Sequence, residues 1–387
     1  MSLKTLAFFL ALACVLLVAP FAQAATPQAG AANHALDYMR TLQNPDGGFP
    51  DFGADSTASA TLDAVLAFAA AGVDVDTVQK GGKSPIDYLK TQAADYAAAT
   101  PGQAAKLVAV VAIVGEDPHH FAGQNSVDVM QSNYDGATHR YGEQTLDQAL
   151  YILAQRSLGR SISEADLSVL RGDELPAGCW EFTVGFGCDT NSTAIAVQAL
   201  IAAGVDPTDA SIRRALDYLA ASQNADGGFP YVAPGDSDAN STAVVVQALT
   251  AGGQDVDAGG RWQKPDGRTP MQVLLSLQDG ATGAFTYAGE DNPYATYQAI
   301  PALLLQPILL PPVQRAPSTT PQATPVPSAA PVTPMPTATA RPVALAPTGQ
   351  GEEGASSDSL AIGALVAVAG ACVVISGLML RRNGSKV

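Results

Sequence analysis

One segment of this chain recurs, and the recurrence constrains its fold more than any other feature. Residues 215–249 read ALDYLAASQNADGGFPYVAPGDSDANSTAVVVQAL, and similar segments occupy residues 35–72 and 273–305. Each copy contains a helical pattern, a turn with glutamine and glycine, a short acidic loop and a second helical pattern. Repeats of this length indicate an architecture in which each unit buries its apolar faces against its neighbours. The chain is therefore predicted to be built from helix pairs.

Six helix pairs can be traced, and the two members of each pair differ in character. First helices carry polar residues on one face, whereas second helices such as 192–203 are apolar around the circumference, which is typical of buried helices. Only residues 182–186 alternate as a strand would. Six buried helices and six half-exposed helices predict two concentric rings. The predicted pairs are 34–42 with 56–71, 85–98 with 103–114, 126–132 with 144–158, 163–171 with 191–203, 209–222 with 241–251, and 270–277 with 293–305.

The two ends of the chain have compositions that do not suit this ring, which is predicted to span residues 25–310. Residues 1–24 resemble a secretory signal peptide that ends in Ala22-Gln23-Ala24. Residues 311–359 form a Pro/Thr-rich linker, and residues 360–380 are an uncharged apolar stretch long enough to cross a membrane. Basic residues follow, which places residues 381–387 in the cytoplasm. The prediction is a single-pass cell-membrane protein with its ring outside the cell.

The end of the linker contains a sequence that could attach the chain to the cell wall instead of the membrane. The sequence Leu-Ala-Pro-Thr-Gly at residues 345–349 resembles a cell-wall sorting signal, although Ala346 departs from the commoner proline. If a sortase read this signal, the chain would be cut after Thr348 and joined to the wall. The alternative is a plain membrane anchor through residues 360–380.

Charge and cysteine content narrow the classes of partner. The ring region holds 33 acidic and 14 basic residues, a net charge of −19, which argues against nucleic acid and anionic lipid as partners. Cys179 and Cys188 are predicted to form a disulfide in an oxidising compartment. No histidine follows His139, so no metal site is predicted. The chain is expected to be monomeric.

The turn within each repeat resembles a known family motif. Residues 43–49 and 223–229, with Gln43, Phe49, Gln223 and Phe229 at their ends, are similar to the Q-x-x-x-G-x-aromatic repeat of squalene–hopene cyclases and protein prenyltransferases. This resemblance covers residues 33–306 and implies an all-α (α/α)6 toroid. The glutamine is expected to satisfy free carbonyls at a helix end, and the aromatic residue to fix the loop to the next helix. The motif is thus predicted to be structural.

The catalytic features that the resemblance would imply are missing. Cyclases of this family use an Asp-x-Asp-Asp cluster, but the Asp-x-Asp strings that begin at Asp74, Asp236 and Asp255 lack the further aspartate. Prenyltransferases bind zinc through an aspartate, a cysteine and a later histidine, and no histidine follows Cys179. The sequence therefore predicts a binding protein without a cofactor. Because cobalamin carriers share the toroid, cobalamin is one ligand that the resemblance implies.

The acidic and aromatic loops before the second helices are expected to meet at one mouth of the ring. A small molecule or a surface partner would bind there, because pockets combine apolar walls with a few polar groups. Helix capping is the competing interpretation of the Asp and Asn positions. The predicted ligand-binding residues are Asp51, Asp55, Trp180, Asp189, Asn191, Tyr231, Asp236, Asp238, Asp291 and Tyr294.

The alternative function is an enzyme that acts on a glycan or an isoprenoid lipid within the cavity. Other (α/α)6 rings cleave polysaccharides with paired carboxylates or with tyrosine, histidine and arginine. The local cluster for such chemistry would be Asn133, Tyr134, His139, Arg140 and Tyr141.

Overall fold

Residues 26–308, which the computed structural model describes, form two concentric rings of helices. Outer and inner helices alternate along the chain, as the repeat predicts, and the (α/α)6 toroid is confirmed. The outer helices are α1 (Pro27–Leu42), α3 (Pro85–Ala99), α5 (Ser126–Gln131), α7 (Glu164–Gly172), α9 (Ala210–Ser222) and α11 (Pro270–Ser276). The inner helices are α2 (Ala58–Ala70), α4 (Pro101–Ile113), α6 (Thr145–Ser157), α8 (Thr190–Ala202), α10 (Ala239–Ala251) and α12 (Pro293–Leu303).

The inner helices pack side by side, and α12 packs against α2 to close the ring. They are buried nearly all round because their residues are mostly alanine, valine and leucine. The first outer helix begins earlier than the expected residue 34. Thr26 caps it by accepting a hydrogen bond from the backbone of Ala29, and Pro27 suits the first helical position.

Three short hairpins join outer to inner helices, and the sequence pattern did not predict them. They pair β1 (Phe49–Pro50) with β2 (Ser56–Thr57), β3 (Tyr134–Asp135) with β4 (Arg140–Tyr141), and β5 (Thr286–Tyr287) with β6 (Glu290–Asp291). Two-residue strands are too short to show alternation.

The strand-like pattern at residues 182–186 is a loop, so that interpretation is wrong. The Glu181 carboxylate accepts hydrogen bonds from the backbone N–H groups of Gly185 (3.0 Å) and Gly187 (2.7 Å), and this folds the segment back on itself. The predicted disulfide between Cys179 and Cys188 closes the same loop and is confirmed.

The glutamine of the repeated turn joins neighbouring units. Gln223 donates from its side-chain amide to the carbonyl of Gly227 in its own turn (2.8 Å) and to that of Trp262 before the next outer helix (2.9 Å). Gln278 makes the equivalent pair of bonds and reaches Ala31 in α1 (2.9 Å), which links the last unit to the first. The motif is therefore structural, as predicted.

The aromatic residue of the turn is held by the following inner helix. The backbone N–H of Phe229 donates to the Thr242 side-chain oxygen (3.1 Å), and the Phe229 ring is fully buried. The turn also needs its glycines. Gly47 has φ +91°, and a Cβ there would lie 2.3 Å from the Ser84 carbonyl oxygen.

Several predictions concern residues beyond 26–308 and lie outside the described part. They are the signal peptide (1–24), the linker (311–359), the membrane span (360–380), the tail (381–387) and the sorting site at Thr348. Within the described residues, no helix is both long enough and apolar enough to cross a membrane.

Candidate functional site

A small cavity of about 100 Å³ lies on the axis of the inner ring. Residues at the same helical positions of each inner helix line this cavity, because one side of every inner helix faces the axis. The loops before the inner helices surround one end, and Ile308, which follows α12, lines the other end. The second helical turns contribute Asp63, Lys106, Leu150, Ile195, Val244 and Gln298 to this wall.

Polar and apolar side chains occupy different sides of the cavity. Leucines from α6 form an aliphatic wall, whereas α8, α10 and α12 contribute carboxamides. Gln198 accepts a hydrogen bond from the Ile308 backbone N–H (2.8 Å) through its side-chain oxygen, but its buried Nε2 has no hydrogen-bond partner among the described residues. A ligand here would meet both kinds of surface. The carboxamides are Asn191, Asn240, Gln198, Gln247 and Gln298.

A buried ion pair crosses from α2 to α4 inside the cavity. The Lys106 ammonium lies 2.9 Å from Asp63 Oδ1, and the two side chains are only 8% and 13% exposed. Lys106 also donates to the Ser59 hydroxyl (3.3 Å), and that hydroxyl lies 3.3 Å from the Tyr294 hydroxyl. The cavity therefore has one charged, hydrogen-bonded corner.

The carboxylate of this pair is incompletely satisfied. Burial raises the pKa of Asp63, and the neighbouring Lys106 ammonium opposes that rise. Asp63 Oδ2 is buried, and within residues 26–308 it finds no hydrogen-bond partner. An unsatisfied buried acceptor costs about 1–3 kcal/mol, so a ligand or a water that donates to it would be favoured.

This pair was not predicted from the sequence, although a signal was present. Asp63 is the single acidic residue of α2, and Lys106 is the single charged residue of α4. Charged residues are almost never fully buried unless they are paired. Two lone charges at the same position of two buried helices thus indicated a cavity pair.

The structure places the ten predicted ligand-binding residues in four settings. Asn191 and Tyr231 line the cavity, and Tyr294 contacts its charged corner. Asp55, Asp236 and Asp291 are exposed on the surrounding loops, and Asp51 is half-buried there. Trp180 is buried and donates to the carbonyl of Leu170 (2.8 Å). The two remaining residues, Asp189 and Asp238, are helix caps.

Asp189 and Asp238 occupy equivalent positions at the starts of α8 and α10. Each accepts a hydrogen bond from the backbone N–H three residues further on, Ser192 for Asp189 (2.6 Å) and Ser241 for Asp238 (2.8 Å). Burial raises the pKa of Asp189 to about 7 and that of Asp238 to about 6. Capping accounts for both positions.

The cluster suggested for glycan chemistry comes together on the β3–β4 hairpin. The Tyr134 hydroxyl donates to Asp166 (2.6 Å) and contacts Nδ1 of His139 (2.8 Å). The rings of Tyr134, Tyr151 and Tyr141 stack in sequence, with centroid distances of 5.1 and 4.7 Å. Burial raises the pKa of the Tyr134 hydroxyl, and the Asp166 carboxylate adds to that rise, so the hydroxyl stays protonated at neutral pH.

A metal site does not accompany these groups. In the described part of the chain, no group of three His, Cys, Asp or Glu side chains is arranged to hold a metal ion.

The ring with a central cavity defines an α/α-toroid protein, and comparison with known proteins identifies its family. The family model described as the prenyltransferase alpha-alpha toroid domain matches residues 2–101 and 130–286, which is more than half of the chain. The chain belongs to this family. No curated protein matches it in sequence.

Solved structures of similar shape share this fold at low sequence identity. The type II terpene cyclase MstE from Scytonema is 14% identical over 72% of this chain and 97% of its own, with a TM-score of 0.56. A variant of MstE in complex with geranylgeranyl dihydroxybenzoate is 13% identical over 72% and 96%, with a TM-score of 0.54. A glycosidase gives a TM-score of 0.49 at 13% identity over 72% and 96%. The similarity to the two MstE structures shows the fold alone.

Proposed function

We propose that this protein is a non-catalytic binding protein whose central cavity takes a small molecule. The observation that carries the proposal is the Asp63–Lys106 pair, which lines the cavity and leaves Asp63 Oδ2 buried without a donor among the described residues. Buried polar groups in native proteins are nearly always satisfied. A ligand that donates a hydrogen bond to Oδ2 would remove this cost.

The cavity's charge and size define the class of ligand. The Asp63 carboxylate and the Lys106 ammonium cancel each other, so the corner offers no net charge to attract an ion. The unsatisfied Nε2 of Gln198 is a donor, so the ligand needs an acceptor as well. Hydroxyl and amide groups supply both. A volume of about 100 Å³ admits a short ligand or head group, and it does not admit a chain as long as the geranylgeranyl group bound by MstE.

Thermal shift measurements on the full chain, with four fragments of matched size, test this proposal. We expect tert-butanol and isobutyramide to stabilise the protein, whereas isobutylamine and isobutyrate have no effect. A ligand whose free concentration is ten times its dissociation constant stabilises the folded state by about 1.4 kcal/mol.

The Ala109→Leu variant adds side-chain atoms that fill part of the cavity, so it should abolish the thermal stabilisation by both neutral fragments. Ala98→Leu is the matched control, because it adds the same atoms on an exposed face of α3. No stabilisation by either neutral fragment, or the same stabilisation in Ala109→Leu, would refute cavity binding.

Acid–base catalysis is the second candidate function, and the raised pKa of Asp63 favours it. A buried carboxyl of this kind transfers protons in enzyme sites, and the fold is that of a terpene cyclase. Lys106 weighs against it, since the neighbouring ammonium opposes the rise in the pKa of Asp63. Deuterium transfer from D2O into a bound ligand, abolished in Asp63→Asn with binding retained, would establish catalysis. Binding without transfer in the wild-type protein would exclude it.

A further inference from the structure

The second helix pair differs from the other five in its connection. α3 ends at Ala99 and α4 begins at Pro101, so Thr100 alone joins them, whereas the shortest of the other connections runs over residues 132–144. The rim of the ring therefore has a gap at this position. A groove of about 530 Å³ occupies the gap, between the start of α4 and the β3–β4 hairpin.

The groove meets the central cavity without being part of it. Leu146 and Leu150 of α6 line both spaces. The groove's volume is several times that of the cavity and lies within the range of about 300–1,000 Å³ that is usual for small-molecule sites. It is a separate candidate site with its own chemistry.

Most of the side chains that line the groove can form hydrogen bonds. The carboxylates of Asp135 and Glu143 accept hydrogen bonds, the hydroxyls of Thr100 and Thr138 donate and accept them, and the amides of Gln103 and Asn133 add further donors and acceptors. The half-buried ring of Phe182 supplies an apolar, planar surface at one side. Many hydroxyl partners beside one aromatic ring suit a ligand rich in hydroxyl groups, with C–H faces that stack on the ring.

The charge of the groove disfavours anionic ligands. Among the described residues that line it, the one cation is the Arg140 guanidinium, which is paired with both oxygens of the Asp173 carboxylate. Asp135 and Glu143 remain exposed, so the local charge is negative. A phosphate or a uronic acid would be repelled, whereas a neutral ligand would not.

The wall of the groove is pre-organised. The backbone N–H of Tyr141 donates to Oε1 of Gln148 (2.7 Å), and the Tyr141 hydroxyl donates to the Pro101 carbonyl across the gap. Asp147 lies at the floor and accepts hydrogen bonds from the backbone N–H groups of Glu143 (3.3 Å) and Gln144 (3.2 Å). A rigid site loses little entropy on binding.

We propose that this groove binds a short neutral oligosaccharide, with one sugar ring stacked on Phe182 and its hydroxyls bonded to the side chains of the β3–β4 hairpin. The site is independent of the central cavity and of the ligand proposed for it.

Calorimetric titration of the full chain with neutral glucose-, mannose- and N-acetylglucosamine-based trisaccharides tests the proposal, with a trigalacturonate as the anionic counterpart. We expect at least one neutral trisaccharide to bind and the trigalacturonate not to bind. Phe182→Ala should weaken binding about ten-fold, which corresponds to the loss of one aromatic contact. Thr138→Trp, which fills the groove, should abolish it.

Two controls distinguish binding in the groove from binding elsewhere on the ring. Ala137→Trp places the same bulk on the exposed tip of the hairpin, outside the groove lining, and should bind as the wild type does. The double variant Asp63→Leu/Lys106→Met alters the cavity and leaves the groove intact, so it should also bind normally. No binding of any neutral trisaccharide, unchanged binding in Thr138→Trp, or stronger binding of the trigalacturonate would overturn the proposal.

Discussion

Removing one partner of the buried ion pair should destabilise the ring severely. In Lys106→Met, the Asp63 carboxyl loses the ammonium that lies 2.9 Å away and stays buried. It must then be protonated in the folded state. For a carboxyl with an ordinary pKa of 3.8, this costs about 4 kcal/mol at pH 7. The estimate agrees with the roughly 3–5 kcal/mol typical of a broken buried pair. Urea denaturation at 25 °C measures the change in unfolding free energy.

The pH dependence and the double variant provide the controls. Because the folded Lys106→Met protein holds a proton on Asp63 that the unfolded chain releases, its stability rises as the pH falls. Between pH 7 and pH 5 the rise from this group is about 3 kcal/mol. Asp63→Leu combined with Lys106→Met removes both charges and should restore stability to within about 1 kcal/mol of the wild type. If the loss of unfolding free energy in the single variant did not depend on pH, or if the double variant lost as much, this reasoning would be refuted.

Three further predictions concern the ring and its caps. Gln223→Ala should lower the unfolding free energy by about 2–4 kcal/mol in urea denaturation, because two buried carbonyls lose their donor. The control is Gln263→Ala, which should lower it by less than about 1 kcal/mol, because the Gln263 amide donates to Gly267 within its own turn. The wild type should gain stability as the pH falls from 8 to 5, because the pKa of Asp189 is about 7 in the folded protein and lower in the unfolded chain. Asp189 should contribute about 2–3 kcal/mol of this gain, and Asp189→Asn should remove that contribution. Replacing Cys179 and Cys188 by serine should cost about 2–3 kcal/mol in thermal denaturation, since the closed loop is short.

Each of these three has an outcome that would contradict it. Equal losses in Gln223→Ala and Gln263→Ala would show that the bond between units does not matter. If the wild type lost stability as the pH was lowered from 8 to 5, the folded protein would favour the ionised form of Asp189 over the protonated form. An unchanged melting temperature in the serine variant would leave the Cys179–Cys188 loop without a stabilising role.

The ring could be predicted from sequence because its parts are local and repeated. The turn from Gln223 to Phe229 recurs, and the helical period is strong in helices such as α8. The hairpins escaped prediction because two residues are too few to show an alternating pattern. The early start of α1 depends on Thr26 and Pro27, which precede the first repeat.

The site could be predicted only in part because it depends on which helices are neighbours. Asn191, Tyr231 and Tyr294 were found from the loops that the repeats share. The Asp63–Lys106 pair joins two residues that lie more than forty positions apart along the chain, so its geometry follows from the packing of the ring and not from any local motif. The groove beside Thr100 arises likewise, from a short connection in one unit and a hairpin in the next.

A crystal structure of the protein soaked with isobutyramide tests the central claim most directly. If the cavity is a binding site, electron density for the fragment should lie among α2, α4 and α8, with its amide nitrogen about 3 Å from Asp63 Oδ2. A cavity filled by protein side chains alone, or a fragment bound only elsewhere on the molecule, would contradict the account.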